Sequence, residues 1–344
     1  MGLLGNLSRL PGSYERHRWA DWAELLCLNS AEGELSVHDL AAAISQREEW
    51  RGTEAFDDPS PKEDEADPFA RGEDDDPEDK CISEAREILA YMTTRQVSFG
   101  SAYPFAVSED GTLVRVKGET EWRNLYLLLL ISSSLRYVPD RSARSKLTSI
   151  FEFVCFVALK RHLGDSAETH IFGKNSLGVG SRYTGKLPDK LRTLAADLNE
   201  RTRFLETEFR TSDVGDNGLD IVAWNGFGDD VNGLIVYFGQ CACTPKWVDK
   251  QHSVSDDSWY GIMSLLAKPV PICFIPFDFR QADGSWYKPS AIHRGVLVDR
   301  RRLLVMLGTS QDGSTLEGTF SGEHYELLDL GSISEERNAG LDDL

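Results

Sequence analysis

No hydrophobic run in this chain is long enough to cross a bilayer. No run, Leu125–Ile131 included, exceeds seven residues, against the roughly 20 that a spanning helix needs. The opening MGLLGNLSRLPGS has neither the apolar core nor the small-residue cleavage site of a secretory signal. Asn6 stands where an N-myristoylation pattern requires Ser or Thr. No leader and no membrane anchor are therefore expected. Cysteine is sparse, six in 344 residues and widely spread, which argues against a disulfide framework and for reduced thiols in a cytoplasmic protein. There is no internal repeat. The loop GKNSLGVGSRYTGK (173–186) lacks the Gly-Lys-Ser/Thr ending of a Walker motif.

Positive charge is scarce as well: 37 Lys and Arg face 56 Asp and Glu, a net of −19. That balance argues against chain-wide attraction to nucleic acid. Its distribution is uneven. Residues 54–79 carry 13 acids and two bases, a net of −11, whereas 136–203 carry 13 bases and seven acids, a net of +6. The acidic strip reads as a solvated linker or as a phosphate mimic that restrains nucleic-acid binding at the basic stretch.

What is present is ample apolar material, 41% of the chain, enough for a real core. Residues 1–50 read as a helical N-terminal region, with helices over 14–29 and 36–47, the second capped by Ser36. Residues 51–80 read as an acidic disordered linker. Residues 81–140 read as helix 82–94, a hairpin of 103–107 and 112–116 around Ser-Glu-Asp-Gly, and helix 121–137. Residues 141–310 form the expected core: helix 145–163, a loop over 164–186, helix 187–204, strands 219–224 and 234–238, helix 258–266, strand 270–277, strand 296–298, and a helix or strand over 303–307. A polar, acidic tail, 311–344, follows. The fold class is α/β, a mixed β-sheet flanked by helices with a helical region before it.

The centre of that core is SDVGDNGLDIVAWNGFGDDVNGLIVYFGQCACTPKWVDK (212–250). Two β-branched and aromatic runs flank an Asn-Gly-Asp loop, an antiparallel hairpin signal. A turn centred at Asp230 sets Asp220 opposite Gln240 at the open end, on one face and about 5 Å apart. Two otherwise apolar strands need no such pairing, but a metal site does. Glu152 stands out in the same way: its helical neighbours Cys155, Phe156 and Leu159 are all apolar. It is either at the edge of a stripe or an acid turned inward toward a metal or a base. Cys241-x-Cys243 with His252 falls short of the four ligands a structural zinc wants, so these thiols read as small apolar side chains.

In the order Phe151-Glu152 on a helix, Gly218-Leu219-Asp220 entering a strand, and Gln240-Cys241-Ala242 ending the next, the chain resembles the PD-(D/E)XK nuclease superfamily, in particular its Mrr-like restriction endonucleases. The resemblance covers about residues 145–250. It implies a restriction-endonuclease-like fold and a Mg²⁺- or Mn²⁺-dependent DNA endonuclease, the nuclease of a bacterial restriction or anti-phage system. Asp220 would be the direct metal ligand, with the carbonyls of Gln240 and Cys241 completing the protein's share and Glu152 holding a second ion or a coordinated water. The family's lysine has no match two residues past Gln240, where Ala242 stands. Lys246, after the turn-forming Pro245, is the expected replacement, with Lys250 next. DNA would be held by Arg144, Lys146, Lys174, Arg182, Lys186 and Lys190. A partner subunit such as an ATPase or sensor protein, and an oligomer, are compatible with such a system. With the lysine lost, the same scaffold would be an inactive DNA- or partner-binding module.

Overall fold

The computed structural model describes residues 3–5, 7–11, 15–45, 77–118, 120–173, 182–209 and 215–309. Most of the acidic strip 54–79, Lys174 and the tail 311–344 lie outside the described residues. The protein is mixed α/β and divides into two units. One is built on Met1–Arg144 with Phe277–Tyr287, the other on Ser145–Pro276 with the chain that resumes at Lys288.

The first unit holds helices α1 (Arg16–Asn29), α2 (Val37–Ser45), α3 (Pro77–Phe99) and α4 (Glu121–Ser132). With them is a small antiparallel sheet of β1 (Glu34–Leu35), β3 (Leu113–Arg115) and β2 (Phe105–Val107), in that order. Ser36 caps α2 as expected: its Oγ accepts from Asp39 N at 3.1 Å while Asp39 Oδ2 accepts from Ser36 N at 3.1 Å, a reciprocal capping pair. The helix expected over 121–137 ends at Ser132, and a separate 3₁₀ turn spans Leu135–Tyr137. The break falls at three consecutive serines, whose hydroxyls compete for backbone; Ser133 Oγ lies 2.7 Å from Leu130 O and 2.9 Å from Asp21 Oδ2.

At this unit's centre lies a fully buried guanidinium. Arg95 donates to Glu24 at 2.8 Å, to Asp278 at 3.2 Å and to the carbonyl of His17 at 2.8 Å, and it pairs with Asp21 at 2.8 Å. Tyr103 and Tyr126 donate their hydroxyls to Glu24. Asp278, together with the Tyr91 hydroxyl that donates to Arg280 O, fixes the segment Phe277–Tyr287 into this unit.

The second unit is built on a five-stranded sheet, β4 (Ala167–Ile171), β5 (Ile221–Asn225), β6 (Ile235–Cys241), β7 (Val270–Phe274) and β8 (Val296–Val298), in that order. The first three run antiparallel and β7 and β8 continue parallel from β6. One face carries Val222, Trp224, Val236 and Phe238 and packs against α6 (Leu187–Asp197), Trp259 and Met263. α5 (Arg141–Leu163) meets the other face, where the thiols of Cys155 and Cys241 hydrogen-bond. Two short helices, α7 (Trp247–Lys250) and α8 (Asp256–Tyr260), connect β6 to β7, and α9 (Arg300–Leu307) follows β8, capped by Asp299.

Three expectations change here. The loop read over 164–186 contains β4; its sequence AETHI buries Ala167, Thr169 and Ile171 and leaves Glu168 exposed, a one-sided pattern too polar to announce itself. Helix 187–204 stops at Asp197, and Asn199 takes a left-handed φ of 56° that turns the chain out. Helix 258–266 shrinks to Asp256–Tyr260, after which Met263 forms a bridge to Thr202.

Candidate functional site

The β5–β6 register pairs Ile221 with Gly239 and Asn225 with Ile235, so Asp220 faces Gln240. Asp220 N donates to Gly239 O at 2.9 Å, and Asp220 O accepts from Phe172 N at 2.8 Å. The carboxylate is thereby fixed between two neighbouring strands. Its Oδ2 accepts from Gln240 Nε2 and from Cys241 N, both at 2.6 Å.

Gln240 therefore turns its nitrogen toward Asp220. The same nitrogen donates to Cys241 O at 3.0 Å, and its Oε1 lies 2.8 Å from Ser253 Oγ. The two carbonyls expected to complete an ion's shell are thus engaged with protein donors. The Ser253 hydroxyl also lies 2.9 Å from Gly218 O and 2.8 Å from Lys250 O, and its single proton serves one acceptor at a time. Gly218 has to be glycine here. Its φ is 76°, and a Cβ would fall 2.4 Å from Ser253 Cβ.

The turn before Asp220 brings a carboxylate that the sequence reading passed over. Asp216 Oδ1 accepts from Gly218 N at 2.8 Å. Its Oδ2 and Asp220 Oδ1 both face Gly173, where a Cβ would lie 3.5 and 3.3 Å from them. Lys190 supports this turn: its ammonium donates to Gly215 O at 3.2 Å and sits over the Phe172 ring. Only 4% of Lys190 is exposed, so it does not present a charge to DNA. Its stem lies on the apolar side of α6, and that overturns the expectation for this residue.

Glu152 on α5 joins the group electrostatically. Burial pushes its carboxyl up to about 8, with the charges of Asp220 and Asp216 adding to the shift and Lys250 opposing it. Burial likewise pushes Asp220 up to about 7. The Cys241 amide works against that shift, Asp216 adds to it, and Lys250 and Gln240 oppose it. Lys250, the last residue of α7, is therefore the lysine whose charge acts on both acids. Lys246 is exposed at the N-cap of the same helix. The chain turns back through α7 and the 3₁₀ turn Gln251–Val254. Gln251 anchors that turn, donating to Ala291 O at 2.9 Å and accepting from His293 N at 3.0 Å. Ala242, at the family's lysine position, is fully buried.

Among the described residues, no group of three or more His, Cys, Asp or Glu side chains is placed to hold a metal ion together. Cys155, Cys241, Cys243 and Cys273 are buried, and burial raises all four thiols, that of Cys273 to about 12. They are inert, protonated core groups. His252 is exposed, and its ring lies tilted by 35° against that of His293 with centroids 5.0 Å apart. Of the expected DNA contacts, Arg144 and Lys146 are exposed on α5 and Lys186 is exposed at the start of α6. Arg182 is exposed but held by Asp197, with Nε donating at 2.6 Å.

No protein-family model, curated protein or solved structure matches the chain.

Proposed function

We propose that this chain is a divalent-metal-dependent DNA endonuclease with a restriction-endonuclease-like core, the nuclease of a restriction or anti-phage system. The observation that carries the reading is the pairing of Asp220 with Gln240 at the open end of the hairpin, where Glu152, Asp216 and Lys250 act on the same carboxylate. Asp220 and Glu152, held above their ordinary ionisation range by burial first and by neighbouring acids second, are groups a cation would relieve.

The donor set suits a hard ion. Mg²⁺ and Mn²⁺ take carboxylate oxygens, and Mg²⁺ commonly uses one or two carboxylates with water and phosphate filling the rest. Asp220 would be the principal ligand through Oδ1, the oxygen that faces Gly173 and Asp216. Glu152 or Asp216 would be the second. When bound, the ion supplies Lewis-acid polarisation of the phosphate and a lowered pKa for water. The chain's own residues do the positioning. Gln240 Nε2 and Cys241 N fix the orientation of the Asp220 carboxylate. Lys190 holds the turn that carries Asp216. Lys250 offsets negative charge developing on a phosphate.

A second reading has a specific observation in its favour. Ala242 is buried where the family has lysine, and Gln240 and Cys241 are turned to protein donors. On that reading the scaffold binds DNA or a partner without cutting. Plasmid incubated with pure protein and Mg²⁺ or Mn²⁺, beside Asp220→Ala, separates the two. Cleavage that needs both the ion and Asp220 supports the nuclease. DNA binding without cleavage supports the module. Cleavage unchanged by Asp220→Ala removes the site assignment.

A further inference from the structure

The second unit also brings together two histidines that the hairpin site does not use. His252 and His293 are both exposed. Their ring centroids lie 5.0 Å apart, with the planes inclined by 35°. Zinc takes imidazole nitrogen at about 2.0–2.1 Å, so two imidazoles sharing one tetrahedral ion bring their centroids to about 5 Å. The pair already stands at the spacing that a shared ion requires.

The ring nitrogens are available. Among the described residues neither imidazole has a hydrogen-bond or ion-pair partner, and the hydrogen bonds of both residues run through their backbones. Those backbones are held firmly. His252 O accepts from Ser255 N at 3.2 Å and from Ser255 Oγ at 2.7 Å. The next carbonyl, Ser253 O, accepts from Trp259 Nε1 at 2.8 Å. His293 N donates to Gln251 Oε1 at 3.0 Å, and Gln251 Nε2 donates to Ala291 O at 2.9 Å, so Gln251 ties the two histidine segments to each other. Just past His293, Arg294 takes a left-handed φ of 40°, and a Cβ on Gly295 would fall 2.8 Å from Pro271 O. Ligands on segments fixed in advance lose less entropy on binding. Imidazole suits Zn²⁺ and Cu²⁺, whereas Mg²⁺ wants oxygen. This pair and the carboxylates around Asp220 therefore select different ions.

We propose that His252 and His293 chelate a transition-metal ion of the Zn²⁺ or Cu²⁺ class, with its remaining positions open to water. The ion would clamp the segment around His293 to the turn Gln251–Val254. The proposal is independent of the nuclease reading. The test is calorimetric titration of the full chain with ZnCl₂ in excess Mg²⁺, which suppresses binding at carboxylate sites. One saturable site is expected. His252→Ala and His293→Ala should each weaken it by about tenfold or more, and Asp220→Asn should leave it unchanged. Both histidines are exposed, so the variants should fold. Thermal melts check this, and Zn²⁺ should raise the Tm of the parent but not of either histidine variant. Pulsed electron paramagnetic resonance with one equivalent of Cu²⁺ should show two coordinated imidazoles in the parent and one in each variant. Any of four results would overturn the proposal: no saturable Zn²⁺ site, binding left intact by either histidine substitution, binding abolished by Asp220→Asn, or a single imidazole on Cu²⁺ in the parent.

Discussion

Gln240 gives its amide nitrogen, not its oxygen, to Asp220, at 2.6 Å. The contact is a neutral donor satisfying a buried carboxylate, and it predicts the effect of restoring an acid. Gln240→Glu would place a second carboxylate against Asp220 in a site where Asp220 already ionises only near 7. The variant should lose on the order of 2 kcal/mol of stability at pH 8, read as a fall in Tm. If the site takes a divalent ion, Mg²⁺ should return much of that loss in the variant and little in the parent. A variant that melts low and gains nothing from Mg²⁺ or Mn²⁺ would argue against an ion at Asp220.

The two lysines separate just as cleanly. Lys250 acts on Asp220 and Glu152, while Lys246 stands exposed at the helix cap. Lys250→Ala should lower cleavage by about 10²–10³, the usual loss when a group that stabilises developing charge is removed, and Lys246→Ala should change it little. Thermal stability should move by less than about 1 kcal/mol in either case, since both positions are exposed. The reverse ranking in cleavage would show that substrate binding draws Lys246 inward.

Part of the site is legible in the sequence and part is not. The β5–β6 register follows from a loop centred at Asp230 between two β-branched runs, so Asp220 and Gln240 could be paired from spacing alone. Glu152 was legible as an acid among apolar helical neighbours. Asp216 was not, because in GDNGLD it is indistinguishable from a turn residue. Only the fold places it beside Gly173. Lys190 was misread because a formal charge says nothing about where its stem lies. The strand Ala167–Ile171 was hidden because Glu168 and His170 are polar, and it becomes a strand by pairing with Ile221–Asn225. Pro245 pointed to a turn-back, but the short helix that makes the turn delivers Lys250 rather than Lys246.

The first unit offers a test of its own. Arg95 is fully buried among Glu24, Asp21 and Asp278. Removing the guanidinium leaves three acids without their cation, and breaking a buried pair in this way typically costs about 3–5 kcal/mol. Arg95→Leu should therefore expose α1, α3 and the segment Phe277–Tyr287 to hydrogen exchange well before the five-stranded sheet. A variant with unchanged exchange in those elements would mean that the acids are neutral in the folded state.

The last prediction concerns pH. In the folded protein Glu152 is raised from 4.5 to about 8, and Asp220 from 3.8 to about 7. Between about pH 4 and 8 the folded state holds protons that the unfolded chain has already released. The stability tied to these groups is thus fully present below about pH 4 and is lost as pH rises through 7 to 8. Glu152→Gln keeps the shape and removes one of the titrations. It should match the parent near pH 4 and exceed it at pH 9 by on the order of 2 kcal/mol, a difference measurable by denaturant unfolding across the range. A bound cation would compete with the same protons, so the affinity of the parent for Mg²⁺ or Mn²⁺ should tighten between pH 6 and about 8 and then level off. The stability gain of Glu152→Gln at pH 9 should shrink when the ion is present, because the ion offsets the repulsion that the substitution removes. A gain equal at pH 4 and pH 9 would mean that Glu152 is not electrostatically part of the Asp220 site, and Asp216 would then be the better second ligand.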